Sequence, residues 1–243
     1  MIGIVVVSHS PALAKAAGDR ALEMVGGAPP PIAIAAGAGE GVIGTAATRV
    51  AAAVDEVDSP DGVLVFMDLG SAVLSATMAL EFATTTAEVR LSDAPFVEGI
   101  IAAVVLAAAG AGLDEVEREA HGAMDAKCGQ LAPDAPDAPA TPAPSAAPDA
   151  AGGVDVTLVN PDGLHSRPAA TIVKAVSAFD AAVTITDVTT GKGPAAANSL
   201  IAIMALGAKE GDVIRISATG PQAAEAAEAI RAMAVDGFGE LAG

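Results

Sequence analysis

Apolar positions in the first 130 residues switch repeatedly between strand-like runs and helical spacing. Residues 2–7 (IGIVVV) form a continuous apolar run, as expected of a strand buried on both faces. Pro11 then falls in the first turn of a helix running to about residue 25, where its missing N–H is tolerated. The pattern continues with a strand at 31–36, a helix at 41–54, a strand at 62–67, a helix at 71–82 and a short strand at 87–91. Two more helices are predicted at 96–109 and 113–124. Such alternation predicts a parallel, doubly wound α/β sheet with helices on both faces, whose functional groups gather at the carboxyl ends of the strands.

From residue 154 the order changes: strand 154–159, helix 166–179, strands 182–188 and 191–196 with Gly191 between them, helix 199–207, strand 212–218 and helix 221–234. Two helix-bearing halves around a hairpin predict an α+β open-faced sandwich with an antiparallel sheet. Between the two lies LAPDAPDAPATPAPSAAPDAAGG, residues 131–153, with six of the chain's 16 prolines and no apolar period. This reads as a Pro/Ala-rich linker, stiff where proline is dense, with a reach of up to roughly 70 Å at about 3.1 Å per residue. The expected organisation is a domain at 1–130, a linker at 131–153 and a domain at 154–243.

Composition narrows the possibilities. The chain of 243 residues is 52% hydrophobic but has no Trp or Tyr, so its cores rest on aliphatic packing. Its net charge of −18, from 12 basic and 30 acidic residues, argues against nucleic-acid binding and repels anionic membranes. Cys128 is the only cysteine, which rules out an internal disulfide and a thiolate metal site and agrees with a reducing compartment. The N-terminus lacks the basic region of a secretory signal. The uncharged run 99–113 is shorter than the roughly 20 residues of a membrane span, so it reads as a buried helix.

Two of the three histidines share a setting of β-branched run, turn and helix start. His9 lies in IVVVSHSPALA and His165 in VTLVNPDGLHSRPAATIV. Free amides and the positive end of a helix dipole suit a neighbouring phosphate. Imidazole is a workable nucleophile near neutral pH, with a reference pKa of about 6.5. For a bare histidine, helix capping or simple surface placement is the commoner outcome. At the second site Arg167 adds a fixed charge and Ser166 is a candidate cap. At the first, Asp68 at the end of the third strand should emerge beside His9, accept its Nδ1–H and leave Nε2 as the nucleophile. Ser8, Ser10, Thr45 and Ser71 are candidate donors to phosphate oxygens. His121, in REAHGAM, reads as a helix residue without a chemical role.

The motifs carry two resemblances. NPDGLHSRPAA followed by ANSLIAIMALGAKEGD resembles HPr, the histidine phosphocarrier of the bacterial phosphotransferase system, over about 154–238. VVSHS, GVIGT, MDLGSAVLSATMALE and APFVEG resemble the mannose-type IIA domain over about 1–125, in the version found in the phosphotransferase subunit of bacterial dihydroxyacetone kinase. The resemblance implies that enzyme I phosphorylates His165 on the nitrogen nearer Cβ, assisted by Arg167. His165 then passes the group to His9, and His9 passes it to ADP on the kinase's nucleotide-binding subunit. It also implies Ser199 as a regulatory phosphorylation position or a plain N-cap, and Leu200, Ile201 and Met204 as an apolar docking patch. A cytoplasmic homodimer is expected, with no bound cofactor, no metal, and a phosphoryl group drawn from phosphoenolpyruvate. Some relatives carry an enzyme I-like fragment; the chain ends at Gly243 without one, so a separate enzyme I is expected.

Three other readings compete. The same carrier could feed an EIIB protein of a mannose-type sugar transporter. Gly39-x-Gly41-x-x-Gly44 with Asp68 beyond it partly satisfies a dinucleotide fingerprint, which would make the chain an NAD-binding oxidoreductase, although the fingerprint normally opens the first βα unit. A purely regulatory reporter of phosphorylation state is the third.

Overall fold

The computed structural model describes residues 1–25, 28–39, 42–131 and 153–241. Contacts divide the chain into two units, Met1–Met124 and Asp125–Gly243. Apart from its end residues, the linker expected at 131–153 lies outside the described residues.

The first unit runs β1 (Gly3–Ser8), α1 (Pro11–Leu22), β2 (Ile32–Ala36), α2 (Ala47–Glu56), β3 (Val63–Met67), α3 (Gly70–Ala79), β4 (Val89–Ser92), α4 (Phe96–Ala108) and α5 (Leu113–His121). Its four strands are all parallel in the order β2-β1-β3-β4. Every residue of β1 is buried, as its unbroken apolar run requires. Val5, Val7, Val63 and Val65 project to the same side as Ala33 and Ala35 and pack with Val50, Val54, Ala72 and Ala76 of α2 and α3. The chain reverses winding direction at β1, so the crevice outside the carboxyl ends of β1 and β3 is the topological switch point, where such sheets place ligands. The apolar stretch at 99–113 is the buried α4 and the turn after it, and among the described residues no helix is long and apolar enough to cross a membrane. Arg90 on β4 ties α5 to the sheet through Asp114 at 2.6 Å and Glu117 at 2.8 Å.

The helix predicted to start at 41 starts at Ala47 instead. Ala38 N–H bonds the Val42 carbonyl at 3.0 Å and Gly44 takes φ +143°, so these residues form a loop rather than a first helical turn.

The second unit runs α6 (Asp125–Leu131), β5 (Val154–Thr157), α7 (Ser166–Val176), β6 (Ala182–Asp187), β7 (Lys192–Ala196), α8 (Leu200–Leu206), β8 (Val213–Thr219) and α9 (Ala223–Val235). The sheet is antiparallel in the order β5-β8-β6-β7. Alternate residues Val183, Ile185, Ile214 and Ile216 are buried beneath the helices, which gives the expected open-faced sandwich. The sequence pattern did not foresee α6, which lies against α8.

Candidate functional site: two carboxylate-held histidines

The first site forms where β1 and β3 end. Val7 and Met67 are register partners, and Asp68 N–H bonds the Val7 carbonyl at 3.2 Å, so His9 and Asp68 leave the sheet side by side. Asp68 Oδ1 lies 2.9 Å from His9 Nδ1. Its Oδ2 accepts the His9 amide at 2.9 Å and the Ser8 hydroxyl at 2.8 Å. A carboxylate only accepts, so in the neutral ring the proton sits on Nδ1 and Nε2 carries the lone pair. Nε2 meets Ser71 Oγ at 2.7 Å, whose hydroxyl therefore donates. Burial opposes a charge on Asp68, but the hydrogen bonds from the His9 amide, the imidazole and Ser8, with the attraction of the His9 ring, hold its carboxyl below the usual carboxylate range. The side chain of His9 stays 20% exposed, enough for a partner to reach Nε2. A cleft of about 300 Å³ opens beside Asp68, between Gly70 and the Ser92–Ala94 segment.

The supporting serines and threonine divide by position. Ser71, at the start of α3, touches the reactive nitrogen. Ser10 caps α1, its Oγ accepting Leu13 N–H at 3.3 Å. Two of the expected phosphate donors have other partners. Ser8 is fully buried and bonds Asp68 while accepting the Ser10 amide at 3.0 Å. Thr45 bonds Ser75 Oγ at 2.7 Å, away from the ring. Its loop still flanks the site, because Gly44 N–H bonds the His9 carbonyl at 3.2 Å. The dinucleotide reading loses its acidic residue, since Asp68 is committed to His9.

The second site is the start of α7. Asn160–Gly163 forms the predicted turn, with Gly163 N–H on the Asn160 carbonyl at 3.1 Å. Gly163 has φ +62°, and a Cβ there would stand 2.1 Å from the Ala208 carbonyl oxygen. Gly163→Ala is therefore expected to destabilise this unit by about 2 kcal/mol or more, read as a lower midpoint in its denaturant unfolding. The cap of α7 is His165 itself, not Ser166, which is the first helical residue. His165 Nδ1 faces the Arg167 amide at 3.5 Å, and Nε2 lies 2.8 Å from Glu240 Oε1. The Arg167 side chain is exposed and forms no ion pair among the described residues, so it is available to an incoming anion. Glu240 was not foreseen from the sequence; its only signal there is a Gly-Phe-Gly break followed by an acidic residue after the last helix.

Ser199 caps α8, its Oγ accepting Ala202 N–H at 3.0 Å. The apolar docking patch is not an open surface: Leu200 and Ile201 are buried and Met204 is half-buried, and α6 lies against α8. His121 pairs with Asp93 at 2.7 Å on the surface.

Comparison with known proteins follows the same division. Residues 3–117 match the family described as PTS system fructose IIA component, and residues 154–235 match PTS HPr component phosphorylation site. HPr of Vibrio cholerae is 49% identical over 80 residues, 33% of this chain and 88% of that protein. The phosphoryl donor subunit DhaM of PEP-dependent dihydroxyacetone kinase 2 from Listeria innocua is 37% identical over 107 residues, 43% of this chain and 85% of that one. The chain belongs to the DhaM family. A DhaM subunit from Klebsiella michiganensis is 41% identical over 247 residues, covering 99% of this chain and 51% of its own length. The chain thus spans about half the length of the first such DhaM relatives. His9 and His165 lie within the matched segments.

Proposed function

We propose that this chain is a two-station phosphoryl carrier of a phosphoenolpyruvate-dependent dihydroxyacetone kinase. Enzyme I loads His165, His165 loads His9, and His9 delivers to ADP on the nucleotide-binding kinase subunit, whose ATP phosphorylates dihydroxyacetone. The observation that carries this reading is the geometry of the two rings: each has one nitrogen held by a carboxylate and the other turned toward a helix start. That arrangement makes a nucleophile without any metal. Each transfer forms one N–P bond as the donor's bond to phosphorus breaks, so the work is positioning and charge neutralisation. The phosphoryl group carries roughly two negative charges. Arg167 and the first amides of α7 oppose them at His165, and the Ser71 hydroxyl can turn from Nε2 to a phosphoryl oxygen at His9. Joining both stations in one chain makes the second transfer intramolecular, at roughly millimolar effective concentration. A cytoplasmic homodimer is part of the same proposal, and light scattering checks the dimer.

The test is incubation with labelled phosphoenolpyruvate and enzyme I, followed by mapping of acid-labile phosphate. Label on His165 and then His9, drained by ADP with the kinase subunit, supports the reading. Label drained by an EIIB protein and not by the kinase subunit overturns its destination.

A further inference from the structure

Phosphorylation of His9 leaves a charge that the groups around its ring do not balance. When Nε2 bonds phosphorus, Nδ1 keeps its proton against Asp68 and the ring becomes a cation. Ring and carboxylate then offset each other. The phosphoryl oxygens keep roughly two negative charges of their own. Ser71 and Ser8, the hydroxyls that meet the ring and its carboxylate, are neutral.

Arg49 stands at the same sheet edge. It is the third residue of α2, which packs with α3 over one face of the sheet, and α3 carries Ser71. Its Nη1 donates to the Ala36 carbonyl at 3.3 Å, and Ala36 is the register partner of Ser8, the residue before His9. The loop leading into α2 is itself fastened to the His9 carbonyl through Gly44. Arg49 is exposed and pairs with no carboxylate among the described residues. Lys15, Arg20 and Arg90 each have a carboxylate partner, and Arg118 lies on α5, packed against α4. The position is also electrostatically unusual. The first turn of a helix disfavours a cation, and α2 has neither a side-chain cap nor an acidic residue there to offset it. An anion bound beside that turn reverses the effect, because it meets the guanidinium and the helix start together.

Building on the carrier reading above, we propose that Arg49 is the cation of the first station, its guanidinium binding the phosphoryl oxygens while the group resides on His9 Nε2. In the transfer from His165 the N–P bond on that ring breaks, and its electron pair stays on the His165 nitrogen. The lone pair of His9 Nε2 forms the new N–P bond. Arg49 gives N–H donors to the oxygens and moves no proton.

The share of label between the two rings at equilibrium tests this in the full chain. Enzyme I and less than one equivalent of labelled phosphoenolpyruvate load the protein, and both phosphohistidines are then quantified by mass spectrometry under alkaline conditions. Arg49→Gln keeps a donor for the Ala36 carbonyl without the charge, and should move the share away from His9 about tenfold. Arg49→Lys keeps the charge, and should move it less than about threefold. Both substitutions place a good helix former at an exposed helical position, so the fold should hold. An unchanged share in Arg49→Gln overturns the proposal even if delivery to the kinase subunit slows, because a residue that only docks a partner does not alter an equilibrium within the chain. Absence of label from wild-type His9 overturns the carrier reading instead, so the two failures are distinct.

Discussion

His9→Ala should abolish phosphoenolpyruvate-driven phosphorylation of dihydroxyacetone, a loss of about 1,000-fold or more, while His165 still takes up label. The expected size follows from the kind of step removed. A covalent relay has no partial substitute for its nucleophile unless another nucleophile occupies the same place. Around His9 the neighbouring groups are Asp68, Ser8 and Ser71, and each is accounted for. The Asp68 side chain is only 8% exposed, Ser8 is fully buried, and Ser71 lacks an adjacent base once the imidazole is gone. A coupled assay for dihydroxyacetone phosphate, run beside phosphohistidine mapping, reads both halves of this expectation. Product formation at the wild-type rate would mean that the group leaves from His165 directly.

Asp68→Asn should leave the fold intact but slow delivery through His9 by roughly 100-fold or more, by analogy with carboxylates that set a tautomer elsewhere. Three donors converge on this carboxylate: the His9 amide, the His9 ring and Ser8. An amide has only one oxygen to accept them, and its NH2 turned toward Nδ1 would favour a proton on Nε2, where the lone pair is needed. The same carboxyl has a measurable acid signature. Its folded pKa lies below the unfolded value of about 3.9, so its contribution to stability is present above that pH and disappears as pH falls through the folded pKa. Thermal unfolding followed from pH 7 down to pH 3 should therefore show a smaller acid-induced loss in Asp68→Asn than in the wild type. Equal acid sensitivity of the two proteins would contradict this account of the carboxyl.

Legibility in the sequence varied with the range of the interaction. The His9–Asp68 pair was readable although 59 residues separate its members, because both lie just past strands that a parallel sheet aligns at one edge. Ser71 was readable for the same reason. Ser8 and Thr45 have partners that the sequence does not reveal, because nearness to a histidine along the chain does not say which way a hydroxyl points: Ser8 ends a buried strand and Thr45 meets α3. Ser166 looked like a cap because serine commonly is one, yet the turn at Gly163 puts His165 at that position. The docking patch on α8 is implied by the HPr resemblance, which cannot reveal that α6 would lie against that helix.

Periodicity, turn residues and short motifs were enough to establish two units, a parallel sheet followed by an antiparallel one, and a histidine opening a helix in each. These follow from local chemistry repeated along a strand or a turn, and local chemistry is written in consecutive residues. The folded chain alone decided which carboxylate meets the His165 ring. The carboxylate partner lies 59 residues from His9 at the first station and 75 from His165 at the second. For Asp68 the strand pattern foretold the partner. For Glu240 nothing periodic did, because a reversal through three left-handed residues brings it to the ring.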